Sequence, residues 1–334
     1  MADDVAVAVV GATSLVGEEI IRLVGDRGLP VTEIRALGSV RTAGRRLEDL
    51  PIGLVGPDAF RDVDIAFFAA GPTVAGQYAH DAVRAGAFVV DTSSRFRLDD
   101  GVPLVVPEVN ARLLEAGSPP DVVASPSSTA VALAAVLAPL HEAAGVRRVV
   151  VSTYQSAAGA GRRAVEHLSR ESIALLSGRG DDDVALRRAF NCLPQVGTVE
   201  MDGVTSHERA VVAEVRKILD HPGLSLQVTA VRVPMFFGMG ASVMVELERS
   251  LDRAAASAVL RTARGLLMHE DGDVVTLPTP ADVVGSQATH VARLRRDDTV
   301  PHGLALWVAL DSIEKGAALN AVQIAEILMR RAAS

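Results

Sequence analysis

The segment DVVASPSSTAVALAAVLAPL, residues 121–140, puts hydroxyl groups where a nucleophile would be held. A short β-branched run precedes the polar residues Ser125, Pro126, Ser127, Ser128 and Thr129, and an Ala/Leu-rich run follows them. The first run reads as a strand and the second as a helix. A tight turn from strand to helix suits a nucleophile, because the helix N-terminus stabilises negative charge. The loop offers only hydroxyls, and the single cysteine, Cys192, lies elsewhere. A serine centre, a centre that has lost its cysteine and a plain turn are all compatible with these residues.

A second chemical signal is GATSLVG, residues 11–17, between an apolar run and a helical pattern. Glycine at 11 permits a tight turn, and glycine at 17 permits close packing of helix on sheet. Ser14 occupies the position where backbone would approach a pyrophosphate, and its side chain would either crowd the phosphates or bond one. Thr13, Leu15 and Val16 complete the turn. Further on, ALGSVRTAGRRLE carries no acid where the ribose of NAD would be bonded, but has Arg41 and Thr42, then Arg45 and Arg46. A basic residue there suits a 2′-phosphate, and hence NADP.

These residues need a scaffold. VAVAVVG, DIAFFAAG and AFVVDTSS read as buried strands, separated by the helical patterns GEEIIRLVGD and VAGQYAHDAVRAG. Such alternation implies a parallel, doubly wound sheet. From residue 147 the pattern changes to longer strands, VRRVVVSTY, LQVTAVRVPMF, SVMVELE and HGLALWVALDS. They alternate with GRRAVEHLSRESIALLSG and ERAVVAEVRKIL, as in an α+β domain with a large mixed sheet. EKGAALNAVQIAEILMRRA, residues 314–332, reads as one amphipathic helix with Ala318, Ala321, Val322, Ala325 and Leu328 on one face.

A chain of 334 residues, 49% hydrophobic and 22% charged, can bury two cores, built from Ala, Val and Leu because aromatics are only 3%. The formal charge of -8 argues against a nucleic-acid partner. One cysteine excludes an internal disulfide and points to a reducing, cytoplasmic setting. The acidic N-terminus is unlike a secretory signal, and no run approaches a membrane span. The eight histidines show no metal-ligand spacing, so no metal is expected. His80 and His167 read as surface or satisfied residues, and Cys192 as a small buried hydrophobe.

The segments VAVVGATSLVG, SVRTAGRRL, DTSSRFRLDDGVPLVVPEVN, VSTYQSAAGAGRRAVEHL, FNCLPQVG, VRVPMFFGMGASVMVEL and DSIEKGAALNAVQIAE resemble, in order, the signature segments of the aspartate-semialdehyde dehydrogenase family. The resemblance implies an α/β fold. A Rossmann-type NADP-binding domain over 1–127 would be joined by the C-terminal helix 314–334. A catalytic and dimerisation domain with the large mixed sheet would cover 128–313. It adds Ala70 and Gly71 to the cofactor-binding residues. It further implies a homodimer and a small anionic ligand, with no membrane partner.

The family uses a cysteine thiolate as nucleophile, a histidine as acid/base, a glutamine that orients the intermediate, and arginines for phosphate and substrate carboxylate. The resemblance puts Ser128 at the cysteine position, with Ser127 at the neighbouring asparagine. It retains Gln155, Arg97 as the phosphate arginine and Arg232 as the carboxylate arginine. Met239 stands at the histidine position and Ala241 at a following glutamate. A gapless count puts a family glutamate and lysine at His207 and Ala210. The chain is most similar to a paralogue of the dehydrogenase that lacks the cysteine. The implied function is NADP binding with the phosphorylating dehydrogenase activity impaired or lost. The alternatives are an active NADP-dependent dehydrogenase and an oxidoreductase with another substrate. A serine hydrolase would need a base next to Ser128.

Overall fold

The computed structural model describes residues 5–179, 186–269 and 277–332. Residues 1–4 and 333–334, which the domain reading included, lie outside the described residues. The chain divides into two compact units, Met1–Ser128 with Gly316–Ser334, and Thr129–Lys315.

The first unit runs β1 (Val5–Val10), α1 (Leu15–Asp26), β2 (Val31–Gly38), β3 (Arg46–Leu47), β4 (Leu50–Leu54), β5 (Ile65–Phe68), α2 (Pro72–Arg84), β6 (Phe88–Asp91), two short turns of helix, α3 (Pro107–Asn110) and α4 (Arg112–Glu115), and β7 (Val122–Ala124). Its seven-stranded sheet has the order β3-β4-β2-β1-β5-β6-β7, parallel except for the β3–β4 pair. β5 is buried at every position, which is why it reads as an unbroken apolar run rather than an alternating one. The strand order reverses direction at β1, so the loop after β1 lies where open α/β sheets bind ligands.

The second unit holds α5 from Thr129 onward (the helix as a whole is Ser128–Ala144), β8 (Val146–Gln155), α6 (Arg162–Leu176), α7 (Ser206–Ile218), β9 (Ser225–Arg232), β10 (Met239–Leu247), α8 (Arg253–Thr262), β11 (Leu266–Met268), β12 (Thr289–Asp297) and β13 (Gly303–Leu310). The six strands form one mixed sheet, β11-β12-β13-β10-β8-β9. The tail begins with a π-type turn, Glu314–Ala318, and continues as α9 (Leu319–Ala332). Ala318, Ala321, Val322, Ala325 and Leu328 are all fully buried and join the core of the first unit. The amphipathic stripe read from the tail is thus the face that packs.

Cys192 is exposed, which corrects the expectation of a buried hydrophobe. Leu193 exchanges both backbone hydrogen bonds with Arg232, so this stretch is locally extended. Side chains alternate in extended chain, and Leu193 takes the inward side. His80 is exposed against the edge of Phe96, and His167 is half-buried.

Candidate active site

Gly11 ends β1 with φ +84, and a side chain there would meet Ala69 O at 2.8 Å. A Cβ on Gly17 would come within 2.3 Å of Gly11 O. Both positions therefore require glycine, one for conformation and one for contact. Ser14 caps α1: its hydroxyl accepts from Gly17 N at 2.9 Å and donates to Ala69 O at 2.9 Å. That side chain is committed inward and ties the loops after β1 and β5 together. It is aimed at neither of the roles open to it from sequence. The N–H groups of Leu15 and Val16 in the first turn have no intrahelical acceptor, as at any helix start, and suit a pyrophosphate. After β2, Arg41 is exposed and Thr42 Oγ1 donates to Ser39 O at 3.2 Å. No acid stands in Gly38–Thr42. Gly71 caps α2 just after Ala70. The turn, the helix start and the basic residue fit a dinucleotide carrying a 2′-phosphate.

The hydroxyl loop is held from three sides within the first unit. Ser125 N donates to Asp91 O at 2.8 Å, Arg97 Nε donates to Ser125 O at 3.0 Å, and Asn320 Nδ2 donates to Ser125 Oγ at 2.8 Å. Arg97 also donates to Thr92 O at 2.8 Å, so its guanidinium braces the loop. Asn320 is fully buried, and its second amide hydrogen bond goes to Val105 O. Only its place in GAALNAVQ hinted at a role. Asp91 is buried beneath the loop. Burial pushes its carboxyl up, against the opposing pull of two hydrogen bonds from Ser93. Ser128 opens α5, half-buried, and its hydroxyl has no hydrogen-bond partner among the described residues.

In the second unit, sheet register assembles a row. Met239 on β10 lies opposite Gln155 on β8, and Gln155 lies opposite Arg232 on β9. Residues paired across neighbouring strands share a face, so these side chains stand side by side. Met239 is 2% exposed, and its sulfur accepts from Thr129 Oγ1 at 3.4 Å. Gln155 Nε2 faces Thr129 Oγ1 at 3.3 Å, Thr153 Oγ1 at 3.2 Å and His207 Nε2 at 2.9 Å. The Gln155 amide and the His207 imidazole thus form a hydrogen-bonded pair whose direction is set by the imidazole tautomer. Thr205 caps α7 through a reciprocal pair with Glu208 and so presents His207 in the first turn. Ala210 lies further along the same helix and offers no charge.

Arg232 is braced by a hydrogen bond to Ser156 O at 2.5 Å. Its pKa is lowered, first by burial and then by the neighbouring Arg188. Arg188 was not singled out from sequence, because it stands in an irregular stretch with no periodicity. Among the described residues no group of His, Cys, Asp or Glu could hold a metal ion, and no helix is long and apolar enough to cross a membrane.

Residues 6–116 match the family model of the semialdehyde dehydrogenase NAD binding domain, and residues 137–315 that of the semialdehyde dehydrogenase dimerisation domain. The chain is 35% identical over 331 residues to the aspartate-semialdehyde dehydrogenase of Rickettsia bellii, covering 97% of both chains. It is 36% identical over 340 residues to that of Bacillus subtilis, again with 97% of both covered. Among solved structures, aspartate semialdehyde dehydrogenase II of Vibrio cholerae, complexed with ASA, superposes with a TM-score of 0.90 at 34% identity over 98% of each chain. A probable aspartate-semialdehyde dehydrogenase of Pseudomonas aeruginosa superposes at 0.89 and 34%, also over 98% of each. With a Rossmann-type unit, a mixed-sheet unit and relatives matched along nearly their whole length, the chain belongs to the aspartate-semialdehyde dehydrogenase family.

Proposed function

We propose that this protein is an NADP-binding member of its family in which phosphorylating oxidation of aspartate semialdehyde is lost or strongly impaired, and that it acts by binding NADP and a small anionic ligand as a cytoplasmic homodimer. The observation that carries this reading is the Met239 position. It lies in the row beside Gln155 and Arg232, is buried, and holds a thioether in contact with Thr129, where acid/base work needs a titratable group. Ser128 supports the same reading. An alcohol becomes a nucleophile only next to a base, and its hydroxyl bonds to none among the described residues. NADP, when bound, supplies a hydride acceptor. Gly11, Thr13, Leu15, Val16 and Gly17 would hold its pyrophosphate on a turn that Ser14 fixes from within, with Ala70 and Gly71 beside them and Arg41 and Thr42 at the 2′-phosphate. Arg97 would brace the loop and Arg232 would take a carboxylate.

The test is NADPH formation from aspartate semialdehyde and phosphate, alongside calorimetry with NADP and NAD. The reading expects binding of NADP in preference to NAD, weakened by Arg41→Ala, and no turnover. Tighter NAD binding, or turnover lost on Ser128→Ala, refutes it. Light scattering checks the dimer. An active oxidoreductase without covalent catalysis is the second reading, favoured by His207, which brings an imidazole into the Gln155 cluster.

A further inference from the structure

Arg188 and Arg232 line one small cavity, together with Leu193 and Val233. Neither guanidinium has a carboxylate partner among the described residues. Two like charges converging on a partly buried space repel, and the repulsion is relieved by an anion between them. The lowered pKa of Arg232, to which Arg188 contributes, is the electrostatic trace of that repulsion.

Arg188 is also a placed residue. Glu171 Oε2 on α6 accepts from the backbone N–H groups of Arg188 at 2.9 Å and Ala189 at 2.7 Å. His167, one turn earlier on α6, lies 3.3 Å from an Arg188 guanidinium nitrogen and accepts from it. Backbone and head group are thus both fixed by one helix, which lowers the entropy lost when the fork meets a ligand. The Glu171 carboxylate is turned to the backbone N–H groups of Arg188 and Ala189, and among the described residues it forms no ion pair with either guanidinium. His207 is the polar neighbour on the far side of Gln155, and Met239 completes the row.

We propose that Arg188 and Arg232 form a two-guanidinium subsite for a small acid that presents an anionic end, carboxylate or phosphate, with no ammonium group beside it. The inference rests on the reading above that this row is a ligand-binding site, and it names the ligand class. A bidentate fork at each arginine matches a carboxylate or phosphate oxygen pair. An ammonium group beside the same end would meet two cations and, among the described residues of the row, no carboxylate to pair with.

The experiment is calorimetry on the full-length protein with succinate, L-aspartate and inorganic phosphate, for the wild type, Arg188→Leu and Arg188→Lys. Succinate should bind at least about tenfold more tightly than L-aspartate, and Arg188→Leu should weaken succinate by about tenfold or more while NADP binding stays as in the wild type. Arg188→Lys should fall between, since it keeps the charge and loses the fork. Phosphate that competes with succinate and shows the same Arg188 dependence identifies a phosphate-ended ligand within the proposal. Equal binding of L-aspartate and succinate, no binding of succinate or phosphate, or indifference to Arg188→Leu would overturn it. NADP binding by Arg188→Leu shows that the variant is folded. Turnover of aspartate semialdehyde tests the functional reading separately, because the ligand preference is read from binding alone.

Discussion

Restoring the two chemical groups at Ser128 and Met239 should restore activity only in combination. Ser128→Cys puts a thiol at the start of α5, where a helix N-terminus lowers a thiol pKa below its usual value of about 8.5. A thiolate alone still lacks the group that moves the proton. General acid–base catalysis contributes typically about 10²–10⁴-fold, equivalent to roughly 3–5 kcal/mol of barrier. Met239→His would stand in the row next to Gln155, and the Thr129 hydroxyl now donating to sulfur at 3.4 Å would donate to the imidazole. The site is 2% exposed, so a ring nitrogen left without a partner would cost about 1–3 kcal/mol. That corresponds to a fall in melting temperature of roughly 2–4 °C per kcal/mol for a unit of this size. The assay follows NADPH formation from aspartate semialdehyde and phosphate for the wild type, each single variant and the double variant. The double variant should exceed Ser128→Cys by about two orders of magnitude, within the general acid–base range. Removing Arg232 from the double variant should abolish the gain. If Ser128→Cys alone equals the double variant, position 239 is not where acid–base chemistry is done. If the wild type turns over at the common enzymatic rate of roughly 1–10³ per second, Ser128 works unaided and the reasoning fails.

Ser14→Ala should destabilise the first unit by about 1–2 kcal/mol through loss of the α1 cap, yet change NADP affinity by no more than about twofold, because the hydroxyl points at Gly17 and Ala69. A tenfold loss of affinity in calorimetry would make Ser14 a phosphate ligand after all. Gly17→Ala forces a Cβ to 2.3 Å from Gly11 O, so NADP binding should vanish and the first unit should lose about 1–3 kcal/mol. Wild-type affinity in that variant would refute the close-packing argument. His290 pairs through Nε2 with Ser286 Oγ at 2.7 Å and through Nδ1 with His269 Nε2 at 2.9 Å, and burial followed by His269 holds its pKa below the ordinary value. The unfolded state then binds its proton more readily, so stability is full above about pH 6.5 and falls as the pH drops through the lower folded value. Denaturant midpoints across that window should show a smaller fall for His290→Asn than for the wild type, and equal slopes would exclude His290 as the cause.

The parts legible in the sequence are those whose physics is local. β1, β5 and β6 are short apolar runs, and α1 and α2 carry a 3.6-residue stripe, so both periods appear without any tertiary knowledge. The π-type turn at Glu314–Ala318 did not disturb the tail's stripe, because Ala318 keeps its inward side through it. β12 escaped because its register shifts between Ala292 and Arg295 and Arg293 takes φ +53, which breaks the alternation. Cys192 was misjudged because its residue type speaks for burial, while its actual side is set by Leu193 pairing with Arg232.

By itself the sequence determined the two kinds of sheet, the glycine turn and its lack of an acid, and the identity of the groups at 128, 155, 232 and 239. Those are properties of residue type and spacing along one chain. Only the tertiary structure decided which groups meet. Register across β10, β8 and β9 made a row of Met239, Gln155 and Arg232, α7 brought His207 to Gln155, and α6 fixed Arg188 beside Arg232. It also turned Ser14 inward, a choice between two hydrogen-bonding directions made by Gly17 N and Ala69 O. The reason is the same in each case. A side chain's partners across strands and helices are distant in sequence, and their chemistry is set by burial and distance, which no local pattern encodes.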